Sequence, residues 1–228
     1  MDVDIGLANA DLLMDLQPRS TLSDVLSGAR TIEQVTMQGP GGIRFVPGTS
    51  GHHEWASLSD FERQNLIHQI QKLETSTDIV VLDCGAGISK NVLAFALAAD
   101  EVFVVTTPQP PALTDAYATV KALYLEKCRA RVSLLVNMAH TEREAAATFR
   151  RLESVAQRFL DFPIANSGYI LHDTALELAV RERVPFVIRY PGSNAGACIA
   201  AVAADLMQRC KGRSSGGGFW KRVVGLFA

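Results

Sequence analysis

The chain has 228 residues, of which 48% are hydrophobic and 20% charged, and it carries a formal net charge of −2 at pH 7. That length suits one α/β domain with a substantial core, and the slightly acidic balance argues against an electrostatic nucleic-acid binder. Cys84, Cys128, Cys198 and Cys210 are scattered without a C-x-x-C pair, which argues against a disulfide framework or a zinc site.

The chain opens MDVDIGLANADLL, with two carboxylates two residues apart, a glycine, and an apolar helical run introduced by Asn9. In an extended stretch Asp2 and Asp4 share one side, and two carboxylates on one face call for a cation or a shared proton. On position alone they read rather as solvated acids at a frayed chain end. The acidic start and the lack of a long apolar run argue against a signal peptide, and no apolar run reaches the roughly 20 residues that span a bilayer. A cytoplasmic protein is therefore expected.

Short apolar runs then alternate with amphipathic segments. Strands are predicted at Ile43–Pro47, Asp78–Asp83, Glu101–Thr107, Val132–Asn137, Pro163–Ile170 and Pro185–Arg189. Helices are predicted at Leu58–Leu73, Ser89–Ala99, Ala112–Lys127, Glu142–Leu160, Thr174–Arg181 and Ala195–Cys210. Continuous runs such as IVVL and VFVV suit strands buried on both faces. The alternation predicts a doubly wound, mostly parallel sheet flanked by helices, with ligands at the carboxyl ends of its strands.

DIVVLDCGAGIS, from Asp78 to Ser89, carries the most internal information. An apolar strand delivers Asp83 at its end, and Gly85 and Gly87 let the chain turn tightly against a ligand. An aspartate so placed can hold Mg²⁺ directly or through water, and it can equally cap the following helix. His52-His53 lies in a Gly/Ser-rich stretch with no further ligand at metal spacing, and reads as a surface loop.

Together these segments resemble the MinD/ParA family of deviant-Walker P-loop ATPases, and within it the FlhG/FleN (YlxH) branch of flagellar-number regulators. DVDIGLANADLL is similar to the family's switch I, and DCGAGIS to its Walker B and switch II segment. VNMAHTERE and RYPGSNAGACIAAVAADL resemble its later loops. The resemblance implies a MinD-like P-loop NTPase domain over residues 1–210 that binds ATP and Mg²⁺. In it Asp4 would orient the hydrolytic water, and Asp2 would lie near the Mg²⁺ shell. Asp83, with Gly85 and Gly87, would form the Walker B and switch II turn, with Asp83 holding Mg²⁺ through water. Asn137 and Pro191 would flank the adenine, and Asn9 and Asp11 would lie on an ATP-dependent dimer contact.

The family's K-G-G-x-G-K-T loop, which cradles the phosphates, does not occur in the 228 residues; Gly39-Pro40-Gly41-Gly42 has no following Lys-Ser/Thr. The resemblance therefore implies an N-terminally truncated domain lacking its first strand and P-loop, with Met1 an internal methionine and on the order of 30–40 residues missing. Three functions stay open on the residues. One is an ATPase that regulates flagellar number or placement. Another is a nucleotide-free, membrane-tethered adaptor. A ParA-type partitioning ATPase is the third, though the acidic balance weighs against it. The partners implied are a second copy, the inner membrane surface, and an FlhF-type GTPase, flagellar C-ring proteins or a FleQ-type activator. No direct nucleic-acid contact is expected.

KGRSSGGG, residues 211–218, reads as a flexible linker. In the last ten residues, 219–228, Phe219, Trp220, Val223, Val224 and Phe227 fall on one helical face, with Lys221 and Arg222 on the polar side. That is the composition of an amphipathic helix lying in a membrane interface, and a short one folds only when bound. The family resemblance agrees, and implies peripheral attachment to the inner face of the cell membrane. A tail packed back on its own domain is the other reading.

Overall fold

The computed structural model describes residues 1–4, 8–49, 68–69, 73 and 76–211. They form two compact units, one built on Met1–Ala98 with Arg183–Pro185, the other on residues 99–182 and 186–211.

The first unit is organised around the chain's opening residues. Asp2 forms a parallel bridge with Asp83, in which Val3 N donates to Asp83 O at 2.9 Å and Asp83 N to Met1 O at 3.0 Å. On the other side Asp2 N donates to Val46 O at 3.1 Å. Three short helices follow: α1 (Ala10–Leu13), α2 (Leu22–Leu26) and α3 (Ile32–Val35). The sequence patterning missed α2 and α3 because they are too short for a 3.6-residue period to show. Both are set by capping boxes. Thr21 and Asp24 bond reciprocally across the first turn of α2, and Thr31 and Gln34 do so for α3. Val3, Leu22, Val25, Ile32, Val35, Val46, Leu73 and Phe95 form this unit's core.

Two of the predicted strands change character here. Ile43–Pro47 shrinks to β2 (Arg44–Phe45), antiparallel to β1 (Met37–Gln38) across the 3₁₀ turn Pro40–Gly42. Asp78–Asp83 is not a regular strand: only the Asp83 bridge forms, and Val81 stays 68% exposed. The helix α4 (Lys90–Ala98) follows as expected. Most of the helix predicted at Leu58–Leu73 lies outside the described residues.

The second unit is a three-stranded parallel sheet in the order β3 (Glu101–Thr106), β4 (Arg131–Ala139), β5 (Ala165–Leu171). The crossovers are α5 (Pro110–Leu125) and α6 (Glu142–Leu160). Helix α6 shows why its sequence was readable. The Thr141 side chain accepts from Glu144 N at 3.1 Å, and Ala145, Thr148, Leu152, Ala156 and Leu160 make a buried stripe. Asp161, at φ +49°, ends the helix in the left-handed region. Within this sheet β3 is an outer strand, and its Val105 is 58% exposed.

Helices α7 (Thr174–Glu182) and α9 (Asn194–Cys210) also match expectation. The predicted strand at Pro185–Arg189 is instead a helical turn, α8 (Phe186–Arg189). Tyr190 N donates to Phe186 O at 2.7 Å. Glu182 also draws in Arg189 Nε at 2.7 Å and the Tyr190 hydroxyl at 3.2 Å, curling the segment back on α7. Apolar composition suited a strand, but these local bonds decide the conformation. Among the described residues no helix is long and apolar enough to cross a membrane.

Candidate functional site

Asp2 is 1% exposed, so it is no solvated chain end. Its Oδ1 accepts from Asp4 N at 3.0 Å, and its Oδ2 from Asn9 N at 3.2 Å and Ala10 N at 3.3 Å. One carboxylate therefore ties the end of the opening strand to the start of α1. Gly48 lets the next segment come close: a Cβ there would lie 3.0 Å from Asp2 O and 3.1 Å from its Cγ.

Asp4 is half-buried, and its carboxylate lies over the Gly85 backbone. A Cβ on Gly85 would sit 2.9 Å from Asp4 Cγ and from both carboxylate oxygens. Gly87 has φ +98°, a left-handed conformation that favours glycine. Asp83 reaches solvent beside them, yet partial burial, and then the neighbouring Asp2 charge, raises its carboxyl pKa above the ordinary value. Burial, followed by the charges of Asp83, Asp4 and Asp2, pushes the Cys84 thiol up to about 11, so it stays protonated and unreactive.

Asp83 feels the charges of Asp2 and Asp4, and carboxylates gathered in this way suit a cation held across them. Among the described residues, however, no set of three side chains could hold a metal ion. Any ion here would need oxygens from a ligand or water as well.

The Asn9 side chain makes no cap bond and is exposed, while Asp11 is half-buried within α1. In the second unit Asn137 ends the buried part of β4. Its Oδ1 accepts from Met138 N at 2.9 Å, and Met138 adopts φ +57°. Pro191 is exposed between α8 and α9. Among the described residues no hydrogen bond joins Asn137 to Pro191, and neither lines the nearby cavity of about 420 Å³. That cavity is walled by Asp173, Ala175, Tyr190, Gly192, Ser193 and Asn194.

Asp173 went unnoticed in the sequence. It accepts from Ala195 N at 3.1 Å and Ala175 N at 2.9 Å, and these backbone donors lower its pKa. The available signal was its place one residue before α7, where an acceptor caps the helix. The tail residues Phe219, Trp220, Lys221, Arg222, Val223, Val224 and Phe227 lie outside the described residues.

No family model matches the chain. It is 37% identical over 203 residues to the antiactivator FleN of Pseudomonas aeruginosa, covering 89% of this chain and 72% of that protein. It is 33% identical over 183 residues to the flagellum site-determining protein YlxH of Helicobacter pylori, covering 80% of this chain and 62% of YlxH, less than two thirds of that relative's length. Among solved structures, the cell division ATPase MinD of Pyrococcus furiosus superposes with a TM-score of 0.71 at 21% identity, covering 91% of this chain and 84% of that one. A ParA family ATPase from Chlorobium tepidum does so with a TM-score of 0.67 at 20% identity, covering 90% and 83%. At such identities these two establish the fold, the α/β fold of MinD-type P-loop NTPases expected from the sequence. With the FleN identity extending over most of both chains, this chain belongs to the FleN/YlxH branch of the MinD/ParA-type ATPases.

Proposed function

We propose that this chain acts as a MinD-like ATPase that regulates flagellar number and placement, through ATP-dependent dimerisation and attachment to the inner membrane surface. The observation that carries the reading is the seating of Asp4 on Gly85 beside Asp83, held in register by the Asp2–Asp83 bridge. The FleN and YlxH identities support it.

The residues fit the magnesium-facing half of a nucleotide site, since the Asp83 carboxyl carries a raised pKa next to other acids. They do not supply the phosphate cradle, because no K-G-G-x-G-K-T-type loop occurs in the 228 residues. Mg-ATP, when bound, supplies the phosphoanhydride whose cleavage resets the switch. Asp83 would hold the ion through water, and Asp4 would orient the attacking water. Asp2 would keep both in place while fastening the segment that bears Asn9 and Asp11, the contact for a second copy. Asn137 and Pro191 would flank the base. The last ten residues anchor the protein, and two tails in a dimer bind far better than one. An FlhF-type GTPase, flagellar C-ring proteins or a FleQ-type activator are the partners this branch suggests.

The test is Mg-ATP binding and hydrolysis by the protein as its own cells make it. Asp4→Ala should slow turnover at least tenfold and spare binding; equal loss of both would contradict the water-orienting role. A second reading is a nucleotide-free, membrane-tethered adaptor. It is upheld if Mg-ATP is neither bound nor hydrolysed. Deleting residues 219–228 should abolish pelleting with anionic liposomes, and unchanged pelleting would remove the tail as anchor.

A further inference from the structure

The first unit contains a cavity of about 300 Å³ lined by Gln17, Arg19, Ser20, Arg30, Gln34, Val35 and Met37. It shares no residue with the aspartate cluster. That volume is at the lower end for sites of small ligands.

The chemistry of its wall is one-sided. Among the described residues no carboxylate lines it. Among the described residues neither the Arg19 nor the Arg30 guanidinium has an ion-pair or hydrogen-bond partner. Two acids nearby in sequence are engaged elsewhere: Asp24 accepts from Thr21 N at 2.8 Å, and Asp15 pairs with Arg183 at 3.7 Å. Ser20, only 8% exposed as a residue, also lines the cavity, and its hydroxyl has no partner among the described residues.

Gln34 adds to the pattern. Its Oε1 is taken by Thr31 N at 2.9 Å in the α3 capping box, which leaves the amide NH₂ as its uncommitted end. The wall therefore offers two guanidinium forks, an amide NH₂ and a hydroxyl, with buried Val35 and half-buried Met37 as the apolar part. Such a set suits a compact oxyanion with several acceptors, and guanidinium forks bind phosphate oxygens in pairs.

We propose that this cavity is a phosphate-binding site, separate from the nucleotide-switch residues, that takes inorganic phosphate or the phosphate of a small phosphomonoester on Arg19, Arg30, Ser20 and Gln34. The two sources share the oxyanion and differ in whether an organic group reaches Val35 and Met37. Both arginines are exposed, so replacing them leaves the core intact.

The test is a nitrogen-15 NMR titration of the whole chain at constant ionic strength, following the arginine Nε–H signals and the Ser20 amide. Inorganic phosphate and phenyl phosphate are the probes. Saturable shifts of Arg19, Arg30 and Ser20 are expected, weakened at least tenfold in the double variant Arg19→Gln, Arg30→Gln. Tighter binding of phenyl phosphate, with Met37 methyl shifts, assigns the site to phosphomonoesters; equal or weaker binding assigns it to the free ion. Shifts that chloride reproduces, or that rise without saturating, mean an adventitious ion only and overturn the proposal. Shifts confined to Gly85 and Gly87, or unchanged in the double variant, overturn it as well, because the phosphate then binds elsewhere.

Discussion

The Asp4 carboxylate rests on Gly85, close enough that a single added methyl would fall 2.9 Å from its Cγ and both oxygens. Gly85→Ala must therefore swing the carboxylate aside or shift the turn. Such overpacking costs about 1–3 kcal/mol, a Tm loss of roughly 2–12 °C for a domain of this size. The proposed turnover should fall at least tenfold, because the displaced group is the one that orients water. Thermal melts and steady-state ATP hydrolysis on the same preparation check both effects, and full activity with a lowered Tm would separate Asp4 from the chemistry.

Asp83 makes the opposite compromise. Its pKa is raised by partial burial and by Asp2, so the folded chain holds that proton more tightly than the unfolded chain does. Stability is lost as pH rises through the raised pKa, and the penalty persists at neutral pH. Asp83→Asn removes the charge. Its Tm should exceed the parent's by up to about 2 °C at pH 7, a small gain because the side chain reaches solvent, and the gap should close below the ordinary carboxylate range. Melts at pH 3.5, 5 and 7 test this. A variant less stable at pH 7 would mean that the charge is satisfied.

Asp2→Ala would leave Asp4 N, Asn9 N and Ala10 N without their acceptor in a buried setting. Hydrogen bonds to a charged group contribute about 1.5–3 kcal/mol, but three on one carboxylate do not add and losing its buried charge offsets part of the cost, so a loss on the order of 2–4 kcal/mol is expected. Urea unfolding measures it. Asp2→Asn, which keeps an acceptor oxygen, should recover part of the loss.

At the start of β3 Glu101 joins Arg209 at 2.8 Å, Arg131 at 3.7 Å and the Ser133 hydroxyl at 3.1 Å, with its side chain 9% exposed. Arg209 also bonds Asp205. Removing one partner of a buried pair strands the other. Glu101→Ala should therefore cost about 3 kcal/mol, whereas Asp205→Ala, on the exposed side, should cost under about 1 kcal/mol. Chemical denaturation of the two variants distinguishes them.

The parts of this fold that could be read from residues alone were those with a long period and a marked end. Glu142–Leu160 had five turns of apolar spacing between Thr141 and Asp161, and the structure keeps those bounds. Pro185–Arg189 was misread because four apolar-rich residues look alike in a strand and in one helical turn. The deciding partner, Glu182, belongs to the preceding helix. At the site, motif spacing picked out Asp2, Asp4 and Asp83, and the structure gathers them. The structural part that Asp2 plays among them was not readable. That Asp2 spends both oxygens on backbone N–H groups depends on where the chain returns at Asn9, a tertiary fact without a local signature.

The outer strand VFVVT has a practical consequence in the test tube. An apolar ribbon with Val105 on display is a template for lateral growth, and among the described residues β3 is hydrogen-bonded only to β4. Concentrated stocks should thicken slowly by strand-on-strand accretion, visible as light scattering that climbs steeply with protein concentration and hardly responds to added salt. One lysine at position 105 should keep them clear.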